Sequence, residues 1–174
     1  MRFPKVRLIV IAIPIALVLL AIRFPYMIDV PVWKYLDRGR IDPLTLHLRG
    51  EFVESNLGTA ELNDGSVLVR MIAQQYVFVP QCVVVPAGVP VHIRMVSADV
   101  AHALTVEGTT DSVKVVPGAV IQQNLQFDQP GEYAMPCHEF CGAGHYAMRA
   151  RLRVVPRDQF HHLRPDERVT CEAR

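Results

Sequence analysis

Side chains that bind soft metal ions are concentrated near the end of the chain. Cys137, Cys141, His145 and Met148 follow one another with the spacing C-x3-C-x3-H-x2-M in the stretch PCHEFCGAGHYAM. His102 is a further candidate, because it begins an earlier predicted strand, and the end of a strand can lie beside such a loop. These residue types and this spacing favour a metal centre.

Three kinds of site are compatible with this set of side chains. A disulfide between Cys137 and Cys141 needs no metal. A zinc site with two cysteines and two histidines would use His102 and His145, and would leave Met148 without a role. A copper site is the third possibility, because copper centres that transfer electrons combine cysteine and histidine with a weak axial methionine.

Copper is the interpretation that uses every donor. Two thiolates can bridge two copper ions, and His102 and His145 then give one imidazole to each ion. Met148 can be a weak ligand to one copper, and the backbone carbonyl of Glu139 can be a weak ligand to the other. An electron shared over two ions changes the charge on each ion less, so the ligands need to move less. We therefore expect an electron-transfer centre with no open position for a substrate.

A sandwich of short strands is predicted to carry this loop. Residues 66–156 contain eight runs rich in β-branched residues, and turn signals such as PAG, EGTTD and DQPGEY separate them. Several runs alternate between apolar and polar residues, as strands with one buried face do. This pattern is typical of a β-sandwich or barrel with Greek-key connections.

An apolar segment at the start of the chain is predicted to be a membrane anchor. Residues 8–22 are uncharged and follow Arg2, Lys5 and Arg7, and we assign residues 1–28 to the anchor. A cleaved signal peptide is the alternative, although no clear cleavage site follows the apolar run.

Two other segments lack the pattern of the sandwich. Residues 29–65 are predicted to be a connector, in which Asp42 and Pro43 could begin a short amphipathic helix. Residues 157–174 lose the strand alternation and are predicted to be a C-terminal tail.

Charge and cysteine content restrict the functional class. The formal net charge of +1 argues against binding to nucleic acid, which requires a strongly basic surface. The chain has four cysteines, too few for a disulfide scaffold in 174 residues. Cys82 lies in an apolar run and is expected to be a buried thiol, and a disulfide with Cys171 is the alternative.

Several segments of the chain resemble subunit II of the haem-copper cytochrome c oxidases, the subunit that carries the dinuclear CuA centre. SADVAHALTVEG, VVPG, DQPGEYAMPCHEFCGAGHYAM and RVV match the order and spacing of that family between about Val67 and Val155. The resemblance implies a mainly β, cupredoxin-like Greek-key fold with one N-terminal transmembrane helix. In having one predicted anchor, the chain is similar to the b-type (ba3-like) branch of the family.

The resemblance also implies roles for particular residues. The copper ligands it implies are His102, Cys137, the carbonyl of Glu139, Cys141, His145 and Met148. Electrons would enter near Tyr76, Phe78, Leu104 and Tyr146. The side chain of Glu139 would also help to bind a magnesium ion at the interface with subunit I.

The implied function is electron transfer in an assembled enzyme. The chain would take electrons from cytochrome c and pass them to haem in subunit I, where oxygen is reduced to water, so no catalytic residue for oxygen chemistry is expected here. The implied location is the bacterial cytoplasmic membrane, with a single pass and a periplasmic C-terminal domain. The CuA subunit of a nitric oxide reductase and a membrane-anchored copper carrier are the alternatives.

Overall fold

The computed structural model describes residues 13–15, 17–19, 41–110, 112–160 and 168–171. Residues 13–15 and 17–19 are helical, and the rest of the predicted anchor lies outside the described residues, as do residues 29–40 of the predicted connector. Within the described part of the chain, no helix combines the length and the apolar character that a membrane span requires. The fold described below belongs to the second of two compact units, residues 35–174.

Ten strands occur in the described part of this unit. They are β1 (Gly58–Glu61), β2 (Val67–Gln74), β3 (Val77–Val79), β4 (Cys82–Pro86), β5 (Pro90–Ser97), β6 (His102–Thr105), β7 (Ser112–Val115), β8 (Ile121–Gln126), β9 (Gly131–Pro136) and β10 (Arg149–Val155). Short 3-10 helices cover Glu54–Asn56, His145–Ala147 and Arg157–Gln159. The eight predicted runs correspond to β2 through β10, because the turn at Gln75 and Tyr76 divides the first run into two strands.

The strands form three sheets. The largest has the order β1-β2-β5-β8, and β3 also pairs with β2. The second has the order β4-β10-β9, and β6 pairs with β7 in the third. Two pairings are parallel, β2 with β5 and β4 with β10, and the others between named strands are antiparallel.

The main core contains the apolar side chains that alternate along the central strands. Val67, Val69 and Met71 of β2 are fully buried, and Leu152 and Val154 of β10 belong to the same cluster. Intervening residues on these strands are less buried. Burial of such alternating faces is the main force that holds two sheets together, at about 25 cal/mol per Å² of apolar surface.

The predicted helix after Asp42 and Pro43 is not formed. Residues 43–48 form turns, in which the amide of Thr45 donates to the carbonyl of Asp42 and the amide of Leu48 donates to the carbonyl of Thr45. The Asp42 side chain accepts a hydrogen bond from the Leu44 amide at 3.0 Å, which closes a local turn. Leu46 is buried, whereas Leu44 and Leu48 are exposed, so this segment gains too little burial to favour a helix.

The described part of the connector packs against the largest sheet. Leu46 and Phe52 are buried in a second apolar cluster with Ile72, Val96 and Val120. Phe52 has no exposed surface. The connector therefore covers a face of the sheet that would otherwise be open to water.

An ion cluster fastens the connector to the same sheet. Glu51 accepts hydrogen bonds from Arg94 Nε at 2.6 Å, from Arg94 Nη2 at 2.7 Å and from Arg70 Nε at 3.2 Å. Arg70 and Arg94 are register partners on β2 and β5. Burial alone would raise the pKa of Glu51, but the hydrogen bonds and charges of the two arginines hold it below its ordinary value.

Part of the predicted tail is joined to the sandwich by a disulfide. Cys82 pairs with Cys171, which is 89 residues further on, so the expectation that Cys82 is a free thiol is wrong. The segment that carries Cys171 forms isolated bridges from Val169 to Thr59 of β1 and from Thr170 to Val83 of β4. A side chain at position 171 thus reaches β4 because this segment lies along the edges of two sheets.

We predict that Glu51→Gln lowers the free energy of unfolding by about 2 kcal/mol at pH 7, because two arginines lose a charged acceptor. A carboxylate with a lowered pKa stabilises the fold above its unfolded pKa, and this contribution is lost as the pH falls through the folded value. Denaturant titrations from pH 7 to pH 3 should therefore show the two proteins converging below about pH 4.

Glu54→Gln is the control, because Glu54 is exposed on the same segment. An equal loss for both variants, or a Glu51→Gln effect that persists unchanged at pH 3, would contradict the role given to the ion cluster.

Candidate metal centre

The loop between β9 and β10 gathers the predicted ligands at one end of the sandwich. β9 ends at Pro136 and β10 begins at Arg149, and these two residues are register partners in an antiparallel pair. Beyond them the Cys137 amide donates to the Met148 carbonyl at 3.0 Å, which closes the base of the loop. An isolated bridge between Leu104 and Cys137 brings β6 to the same place. The predicted proximity of the strand and the loop is therefore present in the structure.

His102 occupies the most protected position of the site. It is the first residue of β6, and it has no exposed surface. Its Nδ1 lies 3.9 Å from the Sγ of Cys137, and its Nε2 lies 2.9 Å from Oδ1 of Asp99. The ring thus presents one nitrogen to the cysteines and the other to a carboxylate.

The two cysteines of the loop are free and buried. Ligand atoms of His102, Cys137 and Cys141 all lie within 4.8 Å of one another. The disulfide alternative for Cys137 and Cys141 is therefore not what the structure shows. A soft metal ion would find two sulfur donors and an imidazole already assembled.

Cys141 has its own group of potential donors. Its Sγ lies 3.6 Å from Nδ1 of His145 and 3.7 Å from Sδ of Met148. His145 begins the short 3-10 helix His145–Ala147, and the amide of Met148 donates to its carbonyl at 3.1 Å. Met148 is buried, so its thioether is shielded from water.

The backbone carbonyl of Glu139 lies beside the other cysteine. Its oxygen is 3.3 Å from the Sγ of Cys137. The Glu139 carboxylate forms an exposed ion pair with Lys114 Nζ at 3.2 Å. No second carboxylate joins it in a cluster of possible metal ligands within the described residues, so the expected magnesium ion has no support here.

The electrostatics of the site keep the Cys141 thiol protonated while no metal is bound. Burial in the first place, and the neighbouring Cys137 in the second, raise the pKa of Cys141 to about 11. Since thiolates are the ligands, binding of a metal ion at neutral pH must displace the proton from Cys141.

Asp99 makes several contacts around the site that the sequence analysis did not anticipate. Burial alone would raise the pKa of Asp99, but hydrogen bonds from the Gln75 amide, His102 and the Val100 amide hold it below its ordinary value. The distances from the two amide nitrogens to the carboxylate are both 2.6 Å. The sequence gives little sign of this role. Asp99 lies three residues before His102, but only the fold shows that its carboxylate faces the His102 ring.

The turn between β2 and β3 covers the metal loop. The Gln75 side chain donates a hydrogen bond to the carbonyl of Cys141. The Tyr76 ring lies against Gly142 and Gly144, where a Cβ atom at Gly144 would meet ring atoms at 2.5 Å. Gly142 also has φ of +128°, a conformation that residues with side chains rarely adopt. These glycines let the turn approach the loop closely.

The four residues expected near the point where electrons enter fall into two groups. Tyr76 and Tyr146 reach the surface, with 39% and 86% of their area exposed, whereas Phe78 and Leu104 are fully buried. Phe140 and Val100 are further apolar side chains exposed near the ligands. The His145 ring makes edge contacts with the rings of Phe140 and Tyr146, with centroid distances of 5.7 and 5.5 Å.

Comparison with known proteins agrees with this geometry. The family model of the periplasmic domain of cytochrome c oxidase subunit II matches residues 55–155, more than half of the chain. The chain belongs to the cytochrome c oxidase subunit II family. This membership confirms the resemblance drawn from the sequence, and it supports a role in electron transfer within an oxidoreductase complex.

The match to individual relatives covers most of the length of those proteins. Cytochrome c oxidase subunit 2 of Thermus thermophilus is 32% identical over 115 residues, which are 66% of this chain and 85% of that protein. A second sequence of that name, from a particular strain of Thermus thermophilus, is also 32% identical over 115 residues, and the matched region is 68% of that protein.

A solved structure is similar in fold. A chain in the cryo-electron microscopy structure of a heme-copper terminal oxidase dimer is 26% identical, with a TM-score of 0.54 over 87% of this chain and 95% of that chain. The predicted mainly β, cupredoxin-like fold is confirmed, whereas the predicted transmembrane helix is not shown by the described residues. Family and donor set together support copper as the metal.

The packing of Tyr76 against the metal loop gives a prediction that needs no metal. We expect Gly144→Ala to lower the free energy of unfolding by about 1–3 kcal/mol, because the added methyl group overlaps the tyrosine ring. Gly144 has φ of −90°, so the backbone itself accepts alanine. In the double variant with Tyr76→Ala, the cost of Gly144→Ala should fall below about 0.5 kcal/mol.

Denaturant titration of the metal-free, reduced protein measures all four members of this cycle. If Gly144→Ala costs the same with and without the Tyr76 ring, the close approach of the turn to the loop is not what requires glycine.

Proposed function

We propose that this chain is the electron-transfer subunit of a haem-copper terminal oxidase, and that its site holds a dinuclear copper centre of the CuA type. The observation that carries the proposal is the pairing of donors. Cys137 lies beside His102, and Cys141, which is clustered with both of them, lies beside His145.

The neutral donors are divided between the two cysteines in the same way. The Glu139 carbonyl lies near Cys137, and the Met148 thioether lies near Cys141. A mononuclear site of four ligands would leave part of this set without a role, whereas a copper pair held by Cys137 and Cys141 together would use all of it. Bound there, a copper pair would take up and release one electron at a time.

The fold shields most of the donor side chains from water and restrains them. His102, Cys137, Cys141 and Met148 are buried, whereas His145 is half-buried. The closed loop base, the β6 bridge and the covering turn hold the donors in place, so that little rearrangement accompanies a change of charge. Two ions that used every one of these donors would have no coordination position left open for a substrate among the described residues, which suits electron transfer.

The exposed apolar side chains near His145 support a docking surface for an electron donor. Tyr76, Val100, Phe140 and Tyr146 are exposed around the ligands. We propose that a c-type cytochrome binds there and that electrons enter beside Tyr76 and Tyr146, with Phe78 and Leu104 beneath the surface. Electrons then pass to haem in subunit I, where oxygen is reduced to water.

The location follows from the same assignment. We propose that the domain lies on the periplasmic side of the bacterial cytoplasmic membrane, anchored by one N-terminal helix within residues 1–28. The relatives support an association with subunit I, because they are subunits or chains of terminal oxidases.

Two other functions fit the observations less well. A nitric oxide reductase would use the same kind of copper site, but the family and its relatives are those of cytochrome c oxidase. A copper carrier must release its ion readily, and a set of donors that is buried except for the half-buried His145 would oppose release. The electron-transfer subunit is therefore the function that we retain.

Copper content tests the proposal. We expect the full chain, reduced and loaded with copper before removal of excess metal, to retain two coppers per chain. Cys141→Ser should lose the paired centre, because one thiolate cannot form the double bridge, and should retain one copper at most. The measurement is metal analysis by mass spectrometry.

Cys171→Ser is the matched control, because it removes a sulfur from the disulfide and leaves the loop intact. Two retained coppers in Cys141→Ser, or one copper in the unaltered chain, would contradict the dinuclear assignment.

A further inference from the structure

We propose that Asp99 is a positioning residue for the metal centre, which fixes the ring of His102 and ties the covering turn to the same point. This inference rests on the proposed function, since it concerns the same site. Asp99 lies on the loop between β5 and β6, and it is not one of the ligands that the family resemblance implies. Its contacts assign the role.

The first contact determines which nitrogen of His102 faces the cysteines. Asp99 Oδ1 lies 2.9 Å from Nε2 of the ring, a distance at which Nε2–H donates to the carboxylate. The proton is then held at Nε2, and Nδ1 keeps its lone pair on the side of Cys137, 3.9 Å from Sγ. Because His102 is fully buried, water offers no alternative partner for Nε2.

The carboxylate itself is held in place from two sides. Its Oδ1 accepts from the Val100 amide at 2.6 Å, and its Oδ2 accepts from the Gln75 amide at 2.6 Å. Ser97 Oγ lies 3.4 Å from Oδ1 and accepts from the amide of Asp99 at 3.2 Å. A carboxylate with these partners cannot rotate without breaking several hydrogen bonds, so it can serve as a fixed reference for the ring.

The contact with Gln75 joins Asp99 to the other half of the centre. The side chain of Gln75 donates to the carbonyl of Cys141, while its amide donates to Asp99. The same turn carries Tyr76, which lies against Gly142 and Gly144 of the loop. One carboxylate therefore orients the imidazole beside Cys137 and fixes the turn that restrains Cys141.

A carboxylate in this position also affects the redox properties of a bound metal. Hydrogen bonding of the distal ring nitrogen to a carboxylate makes the imidazole a stronger donor. A stronger donor favours the more highly charged oxidation state, which lowers the reduction potential. Loss of the negative charge at position 99 should therefore raise the potential.

A purely structural role is the competing explanation, because Asp99 also closes its own loop. Two variants separate the explanations. Asp99→Asn keeps an oxygen that can accept from Nε2–H but removes the charge, whereas Asp99→Ala removes both. Asp64→Ala is the matched control, since Asp64 also closes a turn by accepting from a serine two residues on, at 3.0 Å from the Ser66 amide.

The first measurement uses the full chain, metal-free and reduced, with ¹⁵N-labelled histidine. Long-range ¹⁵N–¹H correlation spectra report which ring nitrogen of His102 carries the proton. We expect Nε2–H in the unaltered protein, in Asp99→Asn and in Asp64→Ala, and a loss of this single tautomer in Asp99→Ala. A single Nε2–H tautomer in Asp99→Ala would overturn the proposal.

The second measurement uses the copper-loaded proteins and follows the reduction potential. It should rise from the unaltered chain to Asp99→Asn, rise again in Asp99→Ala, and stay unchanged in Asp64→Ala. An unchanged potential in Asp99→Asn, or an equal shift in Asp64→Ala, would overturn the proposal. If the unaltered chain fails to hold two coppers, the proposed function fails, and the tautomer of His102 still decides the role of Asp99.

Discussion

The metal centre depends on the antiparallel pairing of β9 with β10. The ladder runs from Gly131 and Val154 to Pro136 and Arg149, and it continues for one more hydrogen bond, from the Cys137 amide to the Met148 carbonyl. Cys137 and Met148, the first and last candidate ligands of the loop, are thereby neighbours before any metal binds. Within the closed loop, Nδ1 of His145 lies 3.6 Å from Sγ of Cys141.

A second set of contacts turns this loop into a rigid site. β6 brings His102 from one side through the bridge of Leu104 to Cys137, and the turn at Gln75 and Tyr76 covers the loop from another. Asp99 contacts both of these elements. The sheets themselves are stabilised at a distance from the ligands, by the Glu51 ion cluster on one face and by the disulfide of Cys171 at the sheet edges.

The sequence predicted the parts of this structure that short-range patterns encode. The donors of the loop were recognisable because their spacing is local, and the strands were recognisable because β-branched residues alternate along them. The turn at Gln75 and Tyr76 was missed, since it interrupts a continuous run with no glycine or proline to mark it. The prediction of a helix after Asp42 was wrong. Leu46 is buried but Leu44 and Leu48 are exposed, so a helix there would gain little from burial.

Contacts between distant segments could not be predicted in the same way. The disulfide of Cys82 with Cys171 requires knowledge that the C-terminal segment returns to β4. The role of Asp99 depends on the orientation of one carboxylate, which the positions of aspartate and histidine in the sequence leave open. Glu51 and the two arginines are separated by many residues and meet only after β2 and β5 pair.

The most direct test of the account is the electron paramagnetic resonance spectrum of the copper-loaded, oxidised full chain. If Cys137 and Cys141 together hold a copper pair, the hyperfine pattern should come from one unpaired electron shared equally between two copper nuclei. A spectrum of one isolated copper, of the type 1 or type 2 kind, would contradict it and would show that Cys137 and Cys141 do not form a bridge.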